Sequence, residues 1–343
     1  MIIANARRVL FDAEKLRSSD ECERIGLTVL DRAGEQMGVP FTDVRRIVDN
    51  RNSVCLRAEG AGKRYLLKVN RNPDSHEVRG AALRMNAVAG SDIKGAFSVP
   101  QSHYIDEQYD AALMEFVEGT RLDILLQCNP DRAAQLDYVR QAVRALATIH
   151  HSSEPRPDEA LRQPAADLVR DVSAEFPRFA RRNAEALNRL ASGKNEPAVS
   201  IHGDFSPKNL IFDAAGTIHV IDFSHPVDSV SPLRDAAIFA IGMARAMLMA
   251  NPAIALASDA PVEELVQGFI DEYLAGAGHT AQEQGALRER LVLYELLRLA
   301  ETRIWTDGYR AFTEGTDGWL KAKFSRVFIA LQLRRLQSRI RML

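Results

Sequence analysis

Ile201-His202-Gly203-Asp204-Phe205-Ser206-Pro207-Lys208-Asn209-Leu210-Ile211-Phe212, continued by Val220-Ile221-Asp222-Phe223, sets an Asp, an Asn and a second Asp within one compact strand-turn-strand unit. Asn209 to Phe212 is a short apolar run. Asp213-Ala214-Ala215-Gly216 has a turn composition, and Thr217 to Phe223 is rich in Ile, Val and Thr, which predicts a second strand. A turn centred on Ala214 and Ala215 folds that strand back on the first and brings Asn209 roughly opposite Val220 to Asp222. Cross-strand neighbours lie ~5 Å apart, so Asn209 and Asp222 are expected to reach one hard cation, which takes oxygen ligands. Asp204 falls in the loop before the first strand. Pro207, with a fixed φ and no amide hydrogen, suits that loop.

One carboxylate to accept a hydroxyl proton, with an amide and a carboxylate to hold magnesium on phosphates, is the set that ATP-dependent phosphoryl transfer requires. His202, beside a buried loop, reads as an orienting hydrogen-bond partner rather than the base. Lys208 lies between base and metal ligand, and either neutralises transferring charge or points into solvent.

These residues resemble the aminoglycoside phosphotransferase and choline kinase-like superfamily, which shows His-Gly-Asp, then Asn, then an apolar-apolar-Asp strand end. Protein kinases carry Arg at the place of Gly203 and Lys at the place of Ser206, so the small-molecule branch is favoured. The resemblance implies an α+β, two-lobed, protein-kinase-like fold. Its small lobe carries an antiparallel sheet, its large lobe is mostly helical, and ATP or GTP sits between them. It further implies Asp204 as catalytic base and Asn209 and Asp222 as Mg2+ ligands. The lobes are expected at 41–117 and 118–343, after a helical extension at 1–40 that ends at Gly38 and Pro40.

The amino-terminal half fits. Ser53 to Ala58 and Tyr65 to Val69 read as strands, with Glu59 to Lys63 as the hairpin turn between them. Lys68 interrupts an otherwise apolar strand. It is either a wet-face lysine or, by the resemblance, the residue that reaches the α- and β-phosphates. A helix follows from about His76 to Val88. Glu77 on it could pair with Lys68, or could form a capping-box-like pair with Asp74. The phosphate-covering loop, Asp49 to Ser53, has no Gly. Asn52 and Ser53 offer donors there, or form an ordinary polar turn. Ala111 to Gly119 reads as a strand and hinge, with the backbone of Glu115 to Val117 as candidate adenine contact. Gly119 then lets the chain turn.

The remainder is expected to be helical: Ala133–His150, a stretch from Asp167 to Ala191, Leu233–Met249, Val262–Leu274, Gln284–Trp305, and Trp319 to the end. Ser231-Pro232 marks a helix start. Asp235 follows in the first turn, and by the resemblance it braces the catalytic loop through hydrogen bonds. Arg178, Arg181 and Arg182, and likewise Arg334, Arg335, Arg339 and Arg341, read as solvated faces. Glu295, Glu301, Trp305 and Tyr309 are candidates for a cationic acceptor; Glu295, Trp305 and Tyr309 read equally as helix surface and core aromatics.

The 343 residues carry a formal net charge of -2, which argues against nucleic acid as partner. Three isolated cysteines, Cys22, Cys55 and Cys128, show no metal or disulfide spacing and suit a reducing cytoplasm. The start lacks a signal-peptide core, and no apolar run approaches the ~20 residues of a membrane helix. Expected partners are a nucleoside triphosphate, a small hydroxyl-bearing acceptor and, at most, a second copy in a homodimer. The other classes are a protein kinase-like enzyme, which the missing Lys after Asp204 and the missing Ala-Pro-Glu after Asp222 oppose, and a non-catalytic nucleotide-binding regulator.

Overall fold

The computed structural model describes residues 16–90, 96–129, 131–152, 165–192, 198–224, 230–250, 260–276, 280–312 and 316–342; the side chains of 260, 261, 308–321 and 342 lie outside that description. The chain divides into two compact units. One comprises Asp12–Thr120 and Asn209–Val227, and the other mainly Arg121–Lys208 and Asp228–Leu343.

The first is a sheet unit. Helix α1 (Ser19–Met37) is capped by the Ser18 hydroxyl, which accepts from the Glu21 amide, and ends at Gly38 in the left-handed region. Strands β1 (Thr42–Asp49), β2 (Ser53–Gly60), β3 (Lys63–Asn70), β4 (Ser102–Asp106) and β5 (Ala111–Glu115) form one antiparallel sheet in the order β1-β2-β3-β5-β4. Alternation sorts its side chains. Val54, Leu56 and Ala58, Tyr65, Leu67 and Val69, and Ala111 and Leu113 are buried with Cys22, Val29, Leu30 and Ala33 of α1. Lys68, between Cys55 and Ala112 in the central strand, therefore points to the other face.

The β2–β3 pairing runs from Ser53↔Asn70 to Gly60↔Lys63. The strands thus take in most of the expected loop and leave a two-residue turn, Ala61-Gly62, with φ of 50° and 73°. Two positive φ values mark the turn whose twist matches a hairpin, usually filled by Asn-Gly. Helix α2 (Glu77–Ala89) starts one residue later than expected and is not capped by Asp74. The buried Asp110 carboxylate accepts from the amides of Val78 (3.3 Å) and Arg79 (2.8 Å), and from Asn70 Nδ2 at 2.7 Å. A two-residue strand, β6 (Thr120–Arg121), follows Gly119.

The second unit is helical. It contains α3 (Leu122–Cys128), α4 (Arg132–His151), α5 (Ala165–Glu175), α6 (Pro177–Arg182), α7 (Ala184–Ser192), α8 (Leu233–Ala250), α9 (Ala260–Gly276), α10 (Ala281–Phe312) and α11 (Thr316–Met342). The single stretch expected over Asp167 to Ala191 is three helices. Pro177 supplies no amide to continue α5 and instead opens α6, and Asn183 separates α6 from α7. No helix among the described residues is long and apolar enough to cross a membrane.

Of the carboxyl-terminal arginines, Arg334 and Arg341 are exposed as expected, and the other two depart from a solvated face. Arg335 and Arg339 are buried, and both bind the fully buried Glu295 of α10: Arg335 Nη2 at 2.7 Å from Oε1, and Arg339 Nη1 on Oε2. A carboxylate without water needs such partners, and the two helices are joined through it. Arg178, Arg181 and Arg182 are exposed, as expected.

Ala61 carries a Cβ into a left-handed conformation that costs an L-residue roughly 1 kcal/mol, whereas Asn tolerates it. Ala61→Asn should raise stability in chemical denaturation by about that amount or somewhat less. A destabilised variant would contradict the turn described.

Candidate active site

In the sheet unit, β7 (Leu210–Phe212) and β8 (Ile218–Val220) pair antiparallel as Leu210↔Val220, Ile211↔His219 and Phe212↔Ile218. Asp213 builds the turn. Its Oδ1 accepts from the amides of Ala215 (2.9 Å) and Thr217 (2.8 Å), and its Oδ2 lies 3.0 Å from His219 Nε2. That histidine, more than the amides, holds the Asp213 carboxyl below its usual range. Two contacts fix the hairpin. Ser98 exchanges hydrogen bonds with Ile218 O (2.9 Å) and the Val220 amide (2.8 Å). Gly119, with φ of 152°, runs so near β7 that a Cβ there would come within 2.2 Å of Phe212 O, so glycine is required for this approach as well as for the turn.

The ladder continues one residue past the strands. The Ile221 amide donates to Asn209 O at 3.0 Å, so Asn209 lies beside Ile221, with Asp222 next in sequence. Asp222 turns out of the strand at φ of 60°, a region that Asp visits more readily than most residues. Its carboxylate receives the Lys68 ammonium directly. Burial draws the Lys68 pKa down, but Asp222 outweighs it and the net shift is upward, so Lys68 stays a cation. Glu77, expected as its ion-pair partner, is a more distant electrostatic neighbour. The direct partner is Asp222.

The other sheet-unit candidates differ in what they leave open. The amides of Asn52 and Ser53 both donate to Asn50 Oδ1 at 2.9 Å, and Ser53 is buried, so neither amide is spare for a phosphate in this conformation. The Glu115 amide donates to Gln101 O at 3.0 Å, and the Phe116 amide to Arg64 O at 3.2 Å. The backbone of Val117, half-buried, makes no hydrogen bond among the described residues. Of the three residues expected at a hinge, Val117 has its amide to offer.

In the helical unit, the loop bearing Asp204 is held from beneath by Asp235. This fully buried carboxylate accepts the His202 amide at 2.6 Å and the Gly203 amide at 2.8 Å, and lies 3.3 Å from His150 Nε2. His150 is set in turn by Tyr273 OH, 2.9 Å from Nδ1. Burial alone would raise the Asp235 pKa. The His150 hydrogen bond, the His150 and His202 charges and the Gly203 amide overcome it, and the carboxyl is held below its ordinary value. His202 is buried, and its Nδ1 accepts the Asp204 amide at 3.2 Å, which is the orienting role expected of it. Phe205 is fully buried, its ring 5.6 Å from His202 and 5.5 Å from Phe239 of α8. Lys208 is exposed, and its Nζ nevertheless lies 3.1 Å from Asp204 Oδ2.

Arg298, on α10, is a neighbour of Asp204 that the sequence does not mark. Its Nη2 lies 3.5 Å from Asp204 Oδ1 and its Nη1 3.1 Å from Glu301 Oε2. The i,i+3 spacing with Glu301 was legible, but nothing in the sequence ties α10 to the Asp204 loop. The acidic groups considered for a cationic acceptor are already neutralised, Glu295 by Arg335 and Arg339, and Glu301 by Arg234 (3.1 Å) and Arg298. Trp305 is half-buried on α10, and the Tyr309 side chain lies outside the described residues.

Asn209 and Asp222 suit a hard divalent cation by donor chemistry, an amide oxygen and a carboxylate on one hairpin end. Among the described residues no group of three His, Cys, Asp or Glu could hold a metal alone. Mg2+ is commonly held by one or two carboxylates plus substrate phosphates, and the donor set fits that pattern.

Asp235 gives a pH signature. Its folded pKa lies below its ordinary value of 3.8, so its contribution to stability is complete above the ordinary value and is lost as pH falls through the folded one. Asp235→Asn should melt lower than wild type near neutral pH, and the gap should narrow in melts taken below about pH 4. A gap that widens on acidification would contradict an ionised brace.

The model of the phosphotransferase enzyme family, APH, matches residues 43–289. No curated protein sequence matches at a significant level. Among solved structures, a thermostable mutant of aminoglycoside phosphotransferase APH(4)-Ia, in complex with ADP and hygromycin B, superposes with a TM-score of 0.56 at 17% identity, over 89% of this chain and 98% of that one. Spectinomycin phosphotransferase APH(9)-Ia, with ADP and spectinomycin, gives 0.56 at 15%, over 91% and 98%. A putative fructosamine-3-kinase from Thermobifida fusca gives 0.52 at 18%, over 88% and 99%. At such identities the likeness establishes the kinase-like fold. The family match goes further: the chain belongs to the APH phosphotransferase enzyme family, and with it to the small-molecule kinases of protein-kinase-like fold.

Proposed function

We propose that this phosphotransferase moves the terminal phosphoryl group of ATP or GTP to a hydroxyl of a small molecule, with Asp204 as the base. The observation that carries this reading is the ion pair of Lys68 with Asp222, at the end of the hairpin that also bears Asn209. Lys68 binds the phosphates, and the Val117 amide, with the Glu115 backbone beside it, receives the nucleobase. Glu77 adds negative potential near Lys68. Ser53 remains the weakest of the proposed nucleotide contacts, because its amide is already engaged. Asn209 and Asp222 would hold Mg2+, which would supply neutralising charge to the phosphates.

Asp204 positions the acceptor hydroxyl and takes its proton. The new P–O bond forms as the bond to the bridging oxygen of the leaving nucleoside diphosphate breaks, and the products are that diphosphate and a phosphate monoester. Positioning and electrostatics supply most of the rate. ADP in two of the fold neighbours supports a nucleotide co-substrate. Ser206 stands where protein kinases carry Lys, which opposes a protein acceptor. The full set of Lys68, Asp204, Asn209 and Asp222 opposes a regulator without turnover.

A screen of small hydroxyl compounds with labelled ATP and GTP, run on wild type and Asp204→Asn, tests the reading. The variant should bind Mg-nucleotide as wild type does and transfer at least ~100-fold more slowly, the usual contribution of a positioned base. Undiminished transfer would remove Asp204 from that role.

A further inference from the structure

Asp204 has cations on both carboxylate oxygens within its own unit: Lys208 Nζ at 3.1 Å from Oδ2, and Arg298 Nη2 at 3.5 Å from Oδ1. Arg298 is fixed there. Its other amino group binds Glu301 Oε2 at 3.1 Å, and Glu301, itself buried, is held on Oε1 by Arg234 at 3.1 Å. Burial works against the charge on Arg298, but Glu301 and Asp204 outweigh it and the pKa is raised. Three cations thus face two carboxylates. The Arg298 side chain is still 27% exposed, which leaves part of it open to a ligand.

A polycationic acceptor brought to Asp204 would meet Lys208 and Arg298 at close range, and juxtaposed like charges reject a ligand as effectively as a lost contact. The carboxylates that could have welcomed it, Glu295 and Glu301, are buried under arginines. A planar guanidinium that is held in place suits a carboxylate or phosphate, which it can engage through two parallel hydrogen bonds. We propose that Arg298 reads an anionic group, a carboxylate or a phosphate, carried by the acceptor beside its reacting hydroxyl. The acceptors are then of the hydroxy-acid or sugar-phosphate class rather than polycationic amino sugars. The inference deepens the proposed function and rests on Asp204 being the base, because only then is its flank the place where the acceptor arrives.

Calorimetric titration of the full chain with Mg2+ and a non-hydrolysable ATP analogue bound tests this, with glycerol 3-phosphate, glycerate, glycerol and the aminoglycoside kanamycin as probes. Wild type should bind at least one of the two anions more tightly than glycerol. Arg298→Gln should weaken that binding by ~10-fold or more, the scale of a charge-assisted hydrogen bond, without weakening kanamycin. Arg298→Lys should recover part of the loss. Affinity for the nucleotide analogue and the thermal melt report whether each variant is folded. Should Arg298→Gln fail to fold, the Lys variant alone must weaken the preferred anion more than glycerol. The anion that loses more distinguishes phosphate from carboxylate. Equal binding of anions and glycerol by wild type, no detectable anion binding, or an anion preference unchanged in both variants would overturn the inference. Transfer by Asp204→Asn, measured in parallel, reports on the base separately. If transfer depends on Asp204 but the preferred acceptor is cationic and indifferent to Arg298, this inference falls and the base stands. If transfer survives Asp204→Asn, the base falls.

Discussion

The pair formed by Lys68 and Asp222 is the contact on which the proposed site in the sheet unit depends. It ties the central strand to a hairpin that is remote in sequence, and each partner is fixed independently. Lys68 is held by its neighbours on β2 and β5. Asp222 is held by the Asp213 turn, by Ser98 along β8 and by the close passage of Gly119 under β7. An ammonium on an apolar sheet is unfavourable without a counter-charge. In the proposed function the carboxylate that serves as counter-charge is also an oxygen donor, together with Asn209 at the same end of the hairpin. One arrangement thus favours the charged form of Lys68 and sets Asp222 at the Asn209 end of the hairpin.

The helical unit solves a different problem, that of holding an irregular loop still. A loop cannot satisfy its own amides as a helix does. Asp235, rooted in the first turn of α8, takes two of them and is kept ionised by His150 despite full burial. Phe205 anchors the loop on α8 from its apolar side. Asp204 is left with its backbone fixed and its carboxylate between Lys208 and Arg298, so that the same helical framework that places this carboxylate also sets the charge around it.

What the sequence disclosed was whatever is local. The hairpin register, the strand bearing Lys68 and the orienting role of His202 follow from residues a few positions apart, and turn chemistry and alternation are local properties. The refinements missed there were small. The β2–β3 turn closes on Ala61-Gly62 because strand pairing extends through residues whose composition resembled a loop. What stayed hidden depends on folding distant segments together. Asp110, rather than Asp74, caps α2. Arg335 and Arg339 are not a wet face, because Glu295 lies opposite them on another helix. Glu301 looked like a free acid and is the buried support of Arg298. A charged residue at a helical position reads the same whether it faces water or a buried partner, and only packing tells the two apart.

The account depends most on Asn209 and Asp222 acting together on a divalent cation, and the direct measurement is Mn2+ binding by electron paramagnetic resonance with a non-hydrolysable ATP analogue present. Wild type should take up Mn2+ only when the nucleotide is supplied. Asp222→Asn and Asn209→Ala should each weaken that uptake by about tenfold or more, as loss of a ligand oxygen does, while both proteins remain folded. Mn2+ affinity equal to wild type in both variants would contradict the account.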